Sequence, residues 1–293
     1  MLKHRLISGV SMGAAFVLAI LFVPTVLLVL ALIGVSFLGQ REFYRMAEKA
    51  GVPVFRNMGY ACGTLLLWVM YLSLSGSMVV PENGAIEPLL VVLCTVAVML
   101  CAFQPSVSEK RIESIAGTLL GILYVPYFLS FLLKLIAPYN PRGIWEWEPI
   151  GTIGQTWIFF LVLVVKIADV GAYFVGSRLG KHKLAPRISP GKTWEGLAGG
   201  AAAAALASMA FVSIVGPNIP MGDAVAMGVF VAMAGVVGDL FESLIKRSAG
   251  EKDSGDSIPG MGGMLDVLDS LLFGAPFLYL YLNAFLWERV FYY

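Results

Sequence analysis

Long apolar segments, separated by short polar ones, occupy most of the chain and constrain its fold more than any other feature. A helix crosses the hydrocarbon core of a bilayer with about 20 mainly apolar residues. We place nine such segments at residues 6–22, 24–39, 58–80, 86–104, 112–136, 152–176, 194–215, 222–245 and 266–288. The sequence therefore predicts an all-α polytopic membrane protein with about nine transmembrane helices.

Composition supports this prediction. Of the 293 residues, 58% are hydrophobic and 13% are charged, whereas soluble domains have about 45–50% apolar and about 25% charged residues. A net charge of +1 argues against an extended basic surface for nucleic acid. The N-terminus begins like a signal peptide, but no small-residue cleavage site interrupts its apolar run. We therefore expect a retained first helix.

Lysine and arginine are distributed unequally between the two sides that nine spans define. Arg142 and Arg289 lie on one side, and Lys134 and Lys166 lie at the end of a span or inside one. The rest of the 20 basic residues share the side of the N-terminus. Because basic loops stay in the cytoplasm, we expect a cytoplasmic N-terminus and an external C-terminus.

The chain divides by its charged segments into two predicted regions. Residues 1–150 form an N-terminal transmembrane region of about five helices. Residues 151–293 form a C-terminal transmembrane region of about four helices, with cytosolic loops at 177–193 and 246–265. The second loop is dense in charge and lies between two long apolar segments.

Several ionisable residues lie inside the predicted spans. Asp239, Glu242, Ser243 and Lys246 follow offsets of 0, 3, 4 and 7, which place them on one helix face. A charge in a membrane helix costs about 2.5–3.5 kcal/mol, so this face should turn toward protein or a polar cavity. A Glu242–Lys246 pair at the membrane interface is an alternative for those two residues. Asp239 has no such structural explanation.

Two further pairs of ionisable residues are each spaced three apart. Asp266 and Asp269 open the last span, and Lys166 and Asp169 lie in the sixth. Asp266 and Asp269 have an alternative role as partners of the helix dipole. The alternative for Lys166 and Asp169 is that they only neutralise each other's charge.

The acidic, basic and glycine residues together predict a metal-dependent phosphate-transfer site. Asp239, Asp266 and Asp269 offer hard oxygen ligands that suit Mg²⁺, and no HExxH or CxxC pattern indicates zinc. The glycines of "DSGDSIPGMGG" permit close approach of backbone N–H groups to phosphate. The segment "RISPGKTWEG" is not a Walker A loop. Contact with anionic lipid is its alternative role.

The run from Ser243 to Asp269 resembles the signature of the phosphatidate cytidylyltransferases, also called CDP-diacylglycerol synthases. Residues 168–196 are similar to the other cytosolic block of that family. The resemblance covers about residues 151–270, and the first five spans match only in being hydrophobic. The matching positions of the signature are Ser243, Ile245, Lys246, Arg247, Lys252, Asp253, Gly255, Ile258, Pro259, Gly262, Gly263, Met264, Asp266, Leu268 and Asp269.

This resemblance implies that CTP and phosphatidate react to CDP-diacylglycerol and pyrophosphate, with Mg²⁺ as cofactor and a second cation left open. The implied catalytic residues are Asp239, Lys246, Arg247, Lys252, Asp253, Asp266 and Asp269, of which Asp239, Asp266 and Asp269 are the metal ligands. The implied substrate-binding residues are Asp169, Ser189, Lys192, Thr193, Glu195, Ser243, Gly262 and Gly263. We expect an integral protein of a bacterial inner membrane, with its active site facing the cytoplasm. The resemblance also suggests a homodimer.

Two positions depart from the family pattern: Met261 replaces a His, and Val267 replaces an Arg. If that His acts in proton transfer, or that Arg contacts a phosphate, this chain must do without the group or recruit another. Another lipid-phosphate enzyme, such as a CTP-dependent lipid kinase, is the alternative. A cation transporter is disfavoured because the charges cluster at the predicted cytosolic ends of helices, and the Asp-rich motif of CDP-alcohol phosphotransferases does not occur.

Overall fold

The computed structural model describes residues 25–75, 86–104, 110–136, 153–215, 219–258 and 262–286. The first predicted span, residues 6–22, and Met261 lie outside these residues. Within them the chain is helical except for its loops and one short hairpin, so the predicted all-α class is confirmed.

Eight helices and one hairpin follow one another along the described chain. The helices are α1 (Thr25–Lys49), α2 (Arg56–Leu74), α3 (Ile86–Cys101), α4 (Arg111–Ile136), α5 (Ile153–Leu179), α6 (Trp194–Val215), α7 (Met221–Ser248) and α8 (Met264–Leu286). Between α5 and α6, strands β1 (Lys183–Ala185) and β2 (Ser189–Thr193) pair antiparallel. A π-helical turn interrupts α4 at Leu123–Tyr127, around Pro126, which has no N–H to donate to the preceding turn.

Seven of these helices are long and apolar enough to cross a membrane. The exception is α3, which has 16 residues. Each of the last eight predicted spans corresponds to one described helix, but the count of nine crossings is not confirmed. The helix boundaries differ from the predicted ones. α1 continues to Lys49 instead of ending at residue 39, and α2 ends at Leu74 instead of residue 80.

The chain forms two compact units. The first contains residues 1–155 and 245–267, so the predicted cytosolic loop at 246–265 belongs to the N-terminal unit. At its centre lies Tyr44, which is fully buried and whose hydroxyl donates to the carbonyl of Thr118 over 3.1 Å. Glycines at 59 and 121 make room for its ring, because a Cβ at either position would overlap it.

The second unit contains residues 156–244 and 268–293. Small residues let its helices approach closely, as is common in membranes. A Cβ on Gly200 of α6 would lie 2.9 Å from the carbonyl oxygen of Ala168 in α5. On α7, a Cβ at Gly238 would collide with the carbonyl oxygen of Asp269. This close contact brings the neighbouring Asp239 to the part of α8 that carries Asp269.

Candidate active site

Three acidic side chains converge where α7 and α8 meet in the second unit. Asp239 and Glu242 lie three residues apart on one face of α7, and Asp269 comes from α8. Each offers a carboxylate oxygen, and these oxygens lie within 4.8 Å of one another. Two of the three predicted metal ligands, Asp239 and Asp269, are therefore neighbours. The third member of this acidic cluster is Glu242, which the sequence analysis did not assign to the metal.

The chemistry of the acidic cluster suits a divalent cation. Glu242 is fully buried, and three carboxylates held this close repel one another unless a positive charge lies among them. Carboxylate oxygens without nitrogen or sulfur ligands favour Mg²⁺ or a similar hard cation. Asp269 is further oriented by Ser270, whose backbone N–H donates to Oδ1 over 2.6 Å. These residues fit the predicted cation.

One basic side chain reaches the acidic cluster from the hairpin. The Nζ atom of Lys192, on β2, lies 2.6 Å from Oδ2 of Asp239. Both side chains are part-exposed, at 23% and 33%, so the pair is not sealed from its surroundings. Lys192 thus combines the position and charge expected of a residue that binds a phosphate beside the cation.

The predicted ion pair on α5 is present, at a longer distance than the pair of Lys192 with Asp239. Nζ of Lys166 and Oδ2 of Asp169 are 3.7 Å apart, and each side chain is about half exposed. The alternative of mutual neutralisation fits this distance. The role of Asp169 in substrate binding stays a prediction.

Two other predicted substrate-binding residues shape the start of α6. Oγ1 of Thr193 accepts the N–H of Gly196 over 3.1 Å, the usual bond of a helix N-cap residue. The carboxylate of Glu195 accepts the backbone N–H of His182 and lies 2.6 Å from its Nδ1. These contacts hold the hairpin against α6. Ser189 pairs with Ala185 at the other end of the hairpin.

Asp266, the remaining predicted metal ligand, belongs to the first unit and binds the chain around it. Its Oδ1 accepts from Nζ of Lys246 over 2.7 Å. Its Oδ2 accepts the N–H groups of Ser254 and Gly263 over 2.9 and 2.7 Å, and lies 2.9 Å from the Ser254 hydroxyl. These bonds organise the glycine loop, by which we mean residues 249–258 and 262–263. The role of Asp266 as a metal ligand stays a prediction.

The glycines at positions 255, 262 and 263 of this loop pack against carboxylate side chains. Gly262 has a φ of +97°, which favours glycine, and a Cβ there would lie 2.6 Å from Oδ2 of Asp266. At Gly263 a Cβ would collide with Ser254, and at Gly255 it would lie 2.9 Å from Oε1 of Glu42. Glu42 is a second residue that the sequence analysis missed. Tight packing thus accounts for these glycines, and their predicted contact with phosphate stays a prediction.

The other predicted residues of this region are more open to solvent. Arg247, Lys252 and Asp253 are exposed, and Ser243 is half-buried. Arg247 donates to the carbonyl of Glu251 over 3.1 Å. The exposed cations are available to an anionic ligand, which is compatible with their predicted roles.

Comparison with known proteins finds similarity along nearly the whole chain. Residues 3–285 match the model of the cytidylyltransferase family. A phosphatidate cytidylyltransferase of Bacillus subtilis (strain 168) is 31% identical over 286 residues, which cover 97% of this chain and 98% of that protein. The enzyme of the same name from Mycobacterium bovis is 28% identical over 92% of this chain and 85% of its own length.

A match over a shorter part of the chain has a higher sequence identity. A phosphatidate cytidylyltransferase of Brucella suis is 46% identical over 128 residues, which cover 44% of this chain and 47% of that protein. The full-length matches correct one expectation. The similarity is not confined to residues 151–270 but extends through the first five predicted spans.

Proposed function

Because the chain belongs to the cytidylyltransferase family, we propose that it transfers the cytidylyl group of CTP to phosphatidate, giving CDP-diacylglycerol and pyrophosphate. The observation that carries this proposal is the similarity to phosphatidate cytidylyltransferases over nearly the whole chain. The acidic cluster beside Lys192 supports it, because both reactants are anions and their approach requires positive charge.

Asp239, Glu242 and Asp269 are the residues that would hold Mg²⁺, with Asp266 as the further ligand predicted from sequence. When bound, the ion supplies Lewis-acid stabilisation of the triphosphate and of the departing pyrophosphate. Lys192 binds a phosphate oxygen next to the ion. Lys246, Arg247 and Lys252 supply the other cations for the triphosphate and the lipid phosphate.

The reaction itself is a displacement at phosphorus. A phosphate oxygen of phosphatidate attacks the α-phosphorus of CTP, the bond between that phosphorus and the bridging oxygen to the β-phosphate breaks, and pyrophosphate leaves. A phosphate monoester is mostly ionised at neutral pH, so the attacking oxygen needs no general base. The protein contributes by holding the two anions in line. Met261, in place of a His, is compatible with this scheme.

We place the site at the cytoplasmic side of a bacterial inner membrane. The distribution of Lys and Arg supports this orientation. So does the bond of Arg45, near the end of α1, to the carbonyl of Ser254, since both segments must then lie on the same side of the membrane. Phosphatidate would reach the site from the inner leaflet, with its acyl chains among the helices. A homodimer stays a prediction.

Incubation of the purified protein with CTP, Mg²⁺ and phosphatidate tests the proposal. We expect equal amounts of pyrophosphate and CDP-diacylglycerol, measured by a coupled phosphate assay and by mass spectrometry of the lipid. Omission of phosphatidate is the control and should give no pyrophosphate. Formation of CDP without a cytidylylated lipid would indicate a lipid kinase instead, and the absence of any nucleotide turnover would leave the proposal without support.

A further inference from the structure

One face of α1 contacts the segment that contains the glycine loop. Glu42, Arg45 and Lys49 follow offsets of 0, 3 and 7, so they share a helix face. Arg45 donates to the carbonyl of Ser254 over 2.6 Å, and Lys49 pairs with Glu251. The nearby Lys49 ammonium lowers the pKa of the Glu251 carboxyl. All of these residues belong to the first unit.

The central contact of this face is made by Glu42, which is 4% exposed. Its Oε1 accepts from the hydroxyl of Ser257 over 2.5 Å and from the N–H of Met264 over 2.9 Å. Its Oε2 accepts the N–H of Leu265 over 2.9 Å and lies 3.0 Å from the hydroxyl of Ser254. One buried carboxylate thus binds the glycine loop and the first turn of α8.

Glu42 and Asp266 organise the same stretch of chain. The Ser254 hydroxyl lies within hydrogen-bond distance of both carboxylates. The N–H of Gly263 donates to Asp266, while the next two N–H groups donate to Glu42. Three successive amides at the start of α8 are therefore fixed by the carboxylates of Glu42 and Asp266. The orientation of Asp266 thus depends on a segment that Glu42 also holds.

Only a carboxylate satisfies this arrangement. Each oxygen of Glu42 faces one backbone N–H and one hydroxyl, so each must accept a hydrogen bond. A glutamine would turn its NH₂ group toward a backbone N–H and leave that buried donor unsatisfied. Space around the carboxylate is also limited, since Gly255 and Gly263 pack against it.

We infer that Glu42 is a positioning residue for cytidylyl transfer: it fixes the glycine loop and the start of α8 and, through Ser254, sets the orientation of Asp266. This inference rests on the proposed function. It gives the first helix of the described chain a role in catalysis, although Glu42 lies more than 200 residues away in sequence from the segment it holds.

The test compares Glu42→Gln with Glu48→Gln, an identical substitution on the same helix. Glu48 pairs with Arg56 and is exposed. In Glu42→Gln we expect kcat to fall about 10- to 100-fold, the loss expected for hydrogen bonds to a buried charge, with KM for CTP within about threefold of wild type. Glu48→Gln should retain wild-type kcat.

Hydrogen–deuterium exchange supplies the readout that does not depend on turnover. Peptides that cover residues 249–268 should exchange faster in Glu42→Gln, while peptides from α2 should be unchanged. Faster exchange throughout the protein would assign Glu42 a merely structural role and overturn the inference, as would wild-type kcat in Glu42→Gln. A wild-type protein without CDP-diacylglycerol synthesis would defeat the proposed function, but the exchange experiment would still report whether Glu42 holds the loop.

Ser257→Ala is a milder variant in case Glu42→Gln does not fold. It removes one of the four donors around Glu42 and leaves no buried donor without an acceptor. We expect a kcat loss of about 2- to 10-fold and faster exchange restricted to the same peptides. Unchanged exchange in folded Ser257→Ala would contradict the inference.

Discussion

At the scale of single residues, the acidic cluster is costly for a protein in a bilayer. A charged side chain in a membrane helix costs about 2.5–3.5 kcal/mol, and Asp239, Glu242 and Asp269 add mutual repulsion within 4.8 Å. Lys192 offsets part of this through its contact with Asp239. A chain that keeps such residues together has a use for their charge, and cation binding is the use that their oxygen ligands favour.

Replacement of Asp239 by Asn tests the cation-binding role directly. The amide keeps the size of the side chain but removes its charge, so the bound ion loses a ligand and stabilises the reacting phosphates less. We expect turnover to fall by at least about 100-fold, since a catalytic ion contributes several kcal/mol. Rates of CDP-diacylglycerol formation at increasing Mg²⁺ concentrations check this.

Asp223→Asn, the same substitution in the first turn of α7, is the matched control and should keep normal turnover. Wild-type turnover in Asp239→Asn would exclude Asp239 as a ligand.

Asp266→Asn separates the two roles of the Asp266 carboxylate, metal binding and organisation of the glycine loop. A much higher Mg²⁺ requirement supports metal binding, whereas a lower kcat at an unchanged Mg²⁺ requirement assigns Asp266 to the loop alone.

At the scale of elements, small residues set how closely the helices of the second unit pack. The contact of Gly200 on α6 with the backbone of α5 has no space for a side chain. Gly34 on α1 is the opposite case, because it is exposed and nothing lies within 4 Å of a Cβ added there. Both glycines lie in helix interiors, so they differ mainly in what surrounds them.

We expect Gly200→Leu to lower the free energy of unfolding by about 1–3 kcal/mol or more, the cost of inserting atoms into a packed interface. Gly34→Leu should be neutral or slightly stabilising, because leucine favours the helix and its side chain meets open space. Thermal unfolding of both variants in one detergent gives the comparison. Equal stability of the two would show that close approach of α5 and α6 does not matter for folding.

The elements also show which parts of the structure hydropathy reveals. Apolar runs predicted the described helices, seven of which are long and apolar enough to cross a bilayer. They misplaced the end of α1 because residues 40–49 include five charged residues, among them Glu42, and yet remain helical. The three-residue strand β1 is too short to leave a pattern.

The candidate site was predictable in part for the same reason. Asp239 and Asp269 stood out as charges inside apolar helices. The spacing of Glu242 from Asp239 was visible, but its basic neighbour Lys246 offered a simpler explanation. The partnership of Glu42 with Ser254 could not be read from sequence, because tertiary packing alone joins residues so far apart.

At the scale of the whole molecule, the side of the membrane on which the Lys and Arg residues lie depends on the number of crossings. The basic residues share one side only if an even number of crossings precedes residue 41. Contact of α1 with the glycine loop requires residues 42–49 and 251–257 to lie on that same side. With α3 counted as a crossing, a span within residues 1–24 gives nine crossings and puts the N-terminus on that same side, whereas its absence gives eight and puts the N-terminus on the opposite side. The C-terminus lies opposite the glycine loop in both cases, because only α8 separates them.

Fusion of alkaline phosphatase to the C-terminus tests the orientation that both topologies share. The reporter needs disulfides, which form outside the cytoplasm, so a glycine loop in the cytoplasm followed by one crossing of α8 predicts high phosphatase activity. A fusion after Gly250, within the predicted cytosolic loop, is the control and should be inactive. High activity at Gly250 would reverse the orientation and place the acidic cluster away from cytosolic CTP. Low activity at both positions would show that α8 does not carry the chain out of the cytoplasm and would contradict the external C-terminus.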